Sequence, residues 1–581
     1  MRADTLFTNA QVYDSAFKRF RPASVAVLDG RVLYVAGEGF HAPGCDDGLA
    51  RIEADEVVDC EGKWLVPGLI DIHMHIESSM ICPPAFSREL LRNGVTTCVA
   101  EPHEIANVFG VEGIREFIRL ARGCDADIYF GAPSSVPSTP FETTGAEVSA
   151  GDIRELMGDA QMRCLGEVMD CRTLIADPTS RIAGVVRAAE ESRTPPIIEG
   201  HVPAFTGLDL ARIAYAGVDS DHCEQTPERI RERVEAGVLV EVQMKSVTQE
   251  VVDYLTQNGL GEHFCFVTDD VMVDKLVHGH LNRVLARAVS LGMRPEDAVY
   301  AATAVPARRM DLRDRGLIAP GRLADFALLD SLETFDVAAT YKRGRAVDVT
   351  RSRRASHDFP EAYYASVHLG PLAAADFALA APEGADADGR VTARCMGIQE
   401  HSTFTEDVRV ELGVSGGLVD WKAARGPEGE LLALGRVFER HHGTGNVGTA
   451  LYCGRCLQRG AVASTWVHDH HNLLVIGRDE ADMALAANTV AEAGGGICAV
   501  EGGRVLGFLP LPVAGILTEA PVEEAAERLA EVTEALRELG WGNVNPVMSV
   551  CTTGLPVSPA LKVTDRGLVD VRAHELVPLF A

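Results

Sequence analysis

The sequence predicts an α/β protein built on a TIM (β/α)8 barrel, with a composite small β-sandwich domain and a C-terminal α+β domain. Three observations carry this. Eight short apolar runs alternate with longer amphipathic stretches between Pro67 and Asp270. Residues able to bind metal fall at the C-terminal ends of several different runs, where a barrel gathers its active site. The 581 residues exceed what one core accommodates, since single cores stop growing near roughly 250–300 residues.

Residues 4–66 read as short strands joined by turns. Val25–Leu28 and Val32–Val35 flank Asp29-Gly30, a hairpin dipeptide, and Val57–Asp59 and Trp64–Val66 flank Glu61-Gly62. The eight runs that follow are Gly68–His75, Thr96–His103, Asp127–Pro133, Cys164–Met169, Pro196–Pro203, Val218–Cys223, Val238–Ser246 and Phe264–Asp270. Helical patterns such as Pro84–Asn93, Val111–Ala121, Arg181–Ser192 and Thr226–Ala236 separate them. A further helix is expected over Met293–Ala304, then strands at Gly316–Ile318 and Phe326–Leu329. The expected division is 1–66 plus 305–350 for the composite β domain, 67–304 for the barrel and 366–581 for the third domain, with a charged linker over 351–365. In the third, strands are expected at Val462–Trp466, Leu473–Ile476 and Arg504–Phe508, helices at Asp482–Ala493 and Val522–Leu539, and a loop at Ala381–Gly389.

Composition narrows the function. Asp+Glu number 84 against 54 Lys+Arg, giving a net charge of −30, which repels nucleic-acid phosphates and anionic membrane surfaces. No apolar run reaches the roughly 18 residues of a membrane helix, and the N-terminus lacks a signal-peptide core, so a cytoplasmic protein is expected. The 14 Cys are scattered, and Cys98 and Cys265 sit in apolar runs as small hydrophobes.

The first barrel run ends in Asp71-Ile-His73-Met-His75. Residues i and i+2 of a strand share a face, so His73 and His75 form a ready chelate in the barrel mouth. Glu167, His201, His222 and Asp269 close later runs. Four imidazoles and two carboxylates suit a binuclear site, in which one carboxylate spans both ions, and they admit Mn, Fe or Zn. Glu77, Glu101, His103 and Glu104 lie just past the first two runs, as substrate contacts, metal support or loop electrostatics. His468-Asp469-His470-His471-Asn472 is also rich in ligands, and strand alternation would put His468 and His470 on one face, for a metal, for the barrel mouth or for an interface. His441-His442 reads as solvated. Cys453-Gly-Arg-Cys456 lacks the preceding Pro of the cytidine-type zinc deaminases and reads as buried.

PGLIDIHMHIESSM, NGVTTCVAEPHEIANVFG, LGEVMD, EGH, SDH, TDD and RGLIAPGRLADFALLD resemble the metal-dependent amidohydrolases and, within them, the adenine deaminases. The likeness continues in GNVG, RGAVAST, HDHHN, DMALAANTVAEAGGGI and LPLPVAGIL, so it spans nearly the whole chain. It implies hydrolysis of adenine to hypoxanthine and ammonia in a homo-oligomer, dimer or tetramer. It implies two divalent ions (Mn or Fe, with Zn as the alternative) held by His73, His75, Glu167, His201, His222 and Asp269. Glu167 would bridge the ions and Asp269 would shuttle protons. The only lysines between Met74 and Ala304 are Lys245 and Lys275, neither at the fourth run, so no carboxylated lysine competes with Glu167. The sequence departs from the family pattern at Gln243-Met-Lys245-Ser246, at Val271-Met-Val-Asp274 and in the loop from Val202 to Gly207. These loops leave open another 6-substituted purine or a cyclic amidine as substrate. A non-catalytic metal-binding scaffold is disfavoured because none of the six ligand-type residues is missing, and a cyclic-amide hydrolase because the barrel lacks the usual lysine bridge.

Overall fold

A computed structural model describes residues 1–37, 48–193, 195–203, 205–350, 357–385 and 389–580. The N-terminal strands are β1 (Arg2–Asp14), β2 (Arg19–Leu28), β3 (Arg31–Ala36), β4 (Glu53–Asp59) and β5 (Trp64–Pro67). Asp29 and Gly30 both take positive φ, 50° and 71°, which is the two-residue turn whose twist matches its strands. β4 and β5 do not pair with each other across Glu61-Gly62; both run parallel to β1.

Six parallel-sheet strands follow in β6 (Leu69–Met74), β7 (Val95–Ala100), β8 (Asp127–Ala132), β9 (Met162–Val168), β10 (Ile198–Gly200) and β11 (Ser220–Asp221). β12 (Leu239–Val242) and β13 (Phe264–Phe266) complete the parallel strands. They form a five-stranded arc, β10-β9-β8-β7-β6, and a three-stranded arc, β11-β12-β13. β6 and β7 are buried at every position, as expected of strands covered on both faces. Helices α1 (Pro83–Arg92) and α2 (His103–Ala121) cover the outside of the first turns. Asp219 N–H donates to Ile198 O (3.1 Å), linking the arcs at one seam. At the other, Asp269 N–H donates to His73 O (3.0 Å). The parallel sheet therefore curls toward its own first strand.

The chain then returns to the N-terminal sheet as β14 (Phe326–Leu329), β15 (Val337–Lys342) and β16 (Arg345–Ala346). β14 pairs antiparallel with β5, Leu328 opposite Leu65. Because β5 hydrogen-bonds to β1 on one side and β14 on the other, the flanks form one continuous sheet in place of the two facing sheets of a sandwich. It curls until Val32 N–H donates to Arg322 O (2.8 Å). The strand expected at Gly316–Ile318 is irregular, bent backbone, and Ile318 instead lends its side chain to the core of this sheet. The helix expected at Met293–Ala304 breaks in two, Pro295–Ala301 and Ala304–Arg309. Phe7 packs edge-on against Phe326 (5.4 Å) and Tyr341 (4.8 Å). Replacing it by Ala should cost about 3–5 kcal/mol, read from chemical denaturation, because the cavity cannot refill between two fixed rings.

In 351–365, residues 351–356 lie outside the described part, and Phe359 and Tyr363 are buried on α2 through Phe117 and Phe109. The third unit holds β17 (Arg390–Ile398), β18 (Thr405–Ser415), β19 (Leu418–Asp420), β20 (Ala433–Phe438), β21 (Val447–Gly454), β22 (Ala461–Ser464), β23 (Leu473–Gly477), β24 (Gly496–Glu501) and β25 (Arg504–Pro510). They form a sheet ordered β19-β18-β17-β21-β20-β23-β22-β24-β25. The helices Glu480–Glu492 and Val522–Glu538 pack on it. One cluster of buried apolar side chains runs from Val66 of β5 through the parallel sheet to Leu568 of the third unit. No helix among the described residues is long and apolar enough to cross a membrane.

Candidate metal centre

The six side chains expected at strand ends converge. Glu167 lies at their centre, at the end of β9. Its Oε2 is 3.1 Å from His201 Nδ1 and 3.3 Å from His222 Nε2, and its Oε1 is 3.5 Å from His75 Nε2. Asp269 Oδ1 is 3.6 Å from His75 Nε2 and 3.9 Å from His73 Nε2. The site therefore has two lobes that share one carboxylate: His73, His75 and Asp269 on one side, His201 and His222 on the other.

The donor set fits divalent cations. His201 Nδ1 and His222 Nε2 face each other at 3.1 Å with Glu167 Oε2 beside both, a triangle of donors around a shared point. His75 Nδ1 is 3.0 Å from the carbonyl oxygen of Glu101. A carbonyl only accepts, so Nδ1 carries the proton and Nε2 presents its lone pair to Glu167 and Asp269. His73 Nε2 is buried without a hydrogen-bond partner, as a ligand atom would be.

Local structure explains how these side chains are held. Ser134 and Ser135 both donate hydroxyls to Glu167 O, fixing the end of β9. A Cβ on Gly166 would lie 2.4 Å from Glu101 Oε1, so only glycine leaves room for that carboxylate beside Glu167. Asp269 sits at φ 58°, a left-handed conformation that Asp tolerates better than most residues and that follows the end of β13. Gln243 Nε2 donates to His222 O (2.7 Å).

Beneath His222, Asp221 receives Arg233 Nε at 2.9 Å, with side-chain exposures of 0% and 1%. Asp221 Oδ1 also accepts the N–H groups of Val202 and Cys223. Arg233→Met strands a buried carboxylate directly before a site histidine, and should lower stability by about 3–5 kcal/mol in urea denaturation.

The electrostatics follow from burial and charge. Burial pushes the Glu167 carboxyl upward, but the imidazoles of His222 and His201 hold it well below the usual range. Asp269 is likewise driven up by burial and held below its ordinary value by His222, Lys245, His73 and His75. Burial, together with His222, pulls His73 down, so its imidazole is neutral and able to ligate. His201 is 28% exposed and Asp269 13%, against 5% or less for the other four, so the site opens along the line between these two.

Residues outside the six join them. His103 Nδ1 lies 3.2 Å from Glu101 Oε2 and 3.8 Å from Glu167 Oε1. Glu77 Oε1 accepts Ile105 N–H (3.1 Å), so it caps the start of α2. The third unit reaches the same mouth. Trp466 Nε1 donates to Glu77 O (3.3 Å), and Asp469 Oδ1 lies 3.5 Å from His103 Nε2. Residues 468–470 form a turn, so His468 and His470 do not share a strand face: His468 Nδ1 meets Glu104 Oε1 at 2.7 Å, while His470 Nδ1 accepts Asn472 N–H (3.0 Å). His441 is buried and bonds to His470 O (2.7 Å), whereas His442 is exposed as expected while its Nε2 reaches Thr144 O (2.9 Å). Cys453 and Cys456 are buried in the third unit at 1% and 0% exposure.

Comparison with known proteins agrees in extent. The amidohydrolase family model matches residues 64–252 and 228–347, and the adenine deaminase C-terminal domain model matches 402–575. "Adenine deaminase 2" of Shouchella clausii is 45% identical over 100% of this chain and 99% of its own. "Adenine deaminase" of Clostridium perfringens is 42% identical over 100% of both. A crystal structure titled as an adenine deaminase covers 60% of this chain and 100% of its own, at 17% identity and a TM-score of 0.44. With both family models matched and such identity sustained from end to end, the chain belongs to the adenine deaminase family of metal-dependent amidohydrolases.

Proposed function

We propose that the protein deaminates adenine hydrolytically, releasing hypoxanthine and ammonia. The observation that carries the reading is a buried carboxylate, Glu167, shared by two lobes of imidazoles in a chain alike along its whole length to proteins named adenine deaminase. His73, His75 and Asp269 would hold one divalent ion and His201 and His222 a second, with the Glu167 carboxylate placed between the two sets. When bound, two such ions (Mn or Fe, with Zn as the alternative) supply a water acidified toward neutral pH as the nucleophile for C6 of adenine. Asp269, at the open edge, would carry one proton from the attacking water to the departing amine. The water's other proton goes to the ring nitrogen as electrons move into the purine, and Glu167, facing the same space, would guide it there. His75, its tautomer fixed by Glu101 O, keeps its free nitrogen on the ligand side.

The architecture that supports this is a barrel over 67–304 in which the two parallel arcs act as one (β/α)8 ring. A β domain of 1–66 plus 305–350 flanks it, and a C-terminal domain over 366–581 closes part of its mouth. Asp269 N–H on His73 O and the β5–β14 pairing favour that division.

The test follows adenine by ultraviolet absorbance and ammonia release with Mn-supplemented protein, before and after chelation. Conversion to hypoxanthine that stops with the chelator and returns with two equivalents of metal is expected. A metal-replete protein that leaves adenine unchanged but turns over a 6-substituted purine such as N6-methyladenine would reject the substrate and keep the site.

A further inference from the structure

Beside the six strand-end residues lies a second buried group of donors that the deamination reading does not use. It joins the start of α2 to the 465–472 turn of the third unit. His103 Nε2 stands 3.5 Å from Asp469 Oδ1 and 3.9 Å from Glu104 Oε1. His468 Nδ1 stands 2.7 Å from Glu104 Oε1 and 3.6 Å from Asp469 Oδ1. All four side chains are at most 5% exposed.

Three of these four spacings exceed a normal hydrogen bond, which falls near about 2.7–3.2 Å. Donors about 2.0–2.1 Å from a common centre lie at most about 4.2 Å apart and about 3.3–3.4 Å apart in a tetrahedron, so these spacings fall within reach of one ion, with 3.5 and 3.6 Å nearest the tetrahedral value. The donors around Glu167 show the same range, from 3.1 to 3.9 Å. The orientation of His103 is a second, independent sign. Its Nδ1 engages Glu101 Oε2 at 3.2 Å, the arrangement in which a carboxylate fixes a ligating imidazole and turns the other nitrogen's lone pair to a metal. Asp469 Oδ2 is buried without a hydrogen-bond partner. The remaining oxygen of Glu104 lies in ion-pair contact with His471 Nε2.

We propose that His103, Glu104, His468 and Asp469 form a third divalent-cation site that ties the third unit to the barrel mouth. Two nitrogens and two carboxylate oxygens make a four-donor set suited to Zn and open to Mn. Both chain regions are needed, since neither alone supplies more than two of the donors.

The experiment is metal counting on the full-length protein. The apoprotein is saturated separately with Zn and with Mn, freed of excess, and analysed by mass spectrometry of the elements. Three equivalents per chain are expected in the parent with at least one of the metals, and two in Asp469→Ala and in His468→Ala. Titration of the apoprotein with Co gives a second readout. A third equivalent that adds tetrahedral visible absorption in the parent, and not in His468→Ala, supports the site. A parent that stops at two equivalents overturns the proposal, as does a variant that keeps all three. Should a variant fail to fold, the parent's own count and Co spectrum still decide. Adenine turnover does not enter these readouts, so failure of the substrate reading and failure of the third site are separable.

Discussion

Glu167→Gln is expected to lower kcat/KM for adenine by about 10³-fold or more and to lower bound metal. The reason lies in the way the carboxylate is divided. Oε1 addresses His75 while Oε2 addresses His201 and His222. Glutamine keeps the shape but offers one oxygen and an NH2 group that repels a cation, so on the proposed reading one set of histidines would lose its shared carboxylate oxygen and the site a negative charge. Charge stabilisation by bound ions contributes several kcal/mol to such reactions, and each 1.36 kcal/mol is tenfold in rate. Ammonia release and metal analysis on the same preparation check it. A variant with full metal content and more than a tenth of the parent activity would remove Glu167 from the centre of the mechanism.

The second large effect belongs to Asp269. Asp269→Asn should reduce kcat by about 10²–10⁴-fold, the range for loss of a general acid–base group. KM and metal content should change far less. Asparagine can still direct its oxygen at His73 and His75, and the backbone bond from Asp269 N–H to His73 O survives the substitution. The amide cannot take up and return a proton. The split between kcat and KM separates this role from that of a ligand: loss of metal in parallel with activity would show that Asp269 acts only by holding an ion.

Much of this was legible in the sequence because strand periodicity is a local property. His73 and His75 share a face at any register, and Glu167, His201, His222 and Asp269 each follow an apolar run short enough to be a barrel strand. The rest depends on contacts between distant parts of the chain. Nothing near Asp469 announces that it will meet His103, and the alternation expected for His468 and His470 gave way to a turn. Gly166 carries no chemistry of its own, and its role emerges only from the closeness of Glu101. The flank sheet was anticipated as two layers because pairing partners are not written in composition, whereas β5 bonds on both edges.

That last pairing has a consequence for synthesis. β5 meets β14 only after the whole of the intervening parallel sheet has been made. While the ribosome is still producing the parallel strands, β1 to β5 form an incomplete sheet with the edge of β5 bare. An unpaired apolar edge is a template for association with other chains. The nascent protein therefore carries an open strand edge through the synthesis of all the residues between β5 and β14. A pause or truncation between β13 and β14 should yield aggregates nucleated by the N-terminal strands, and completion of β14 should remove that nucleus.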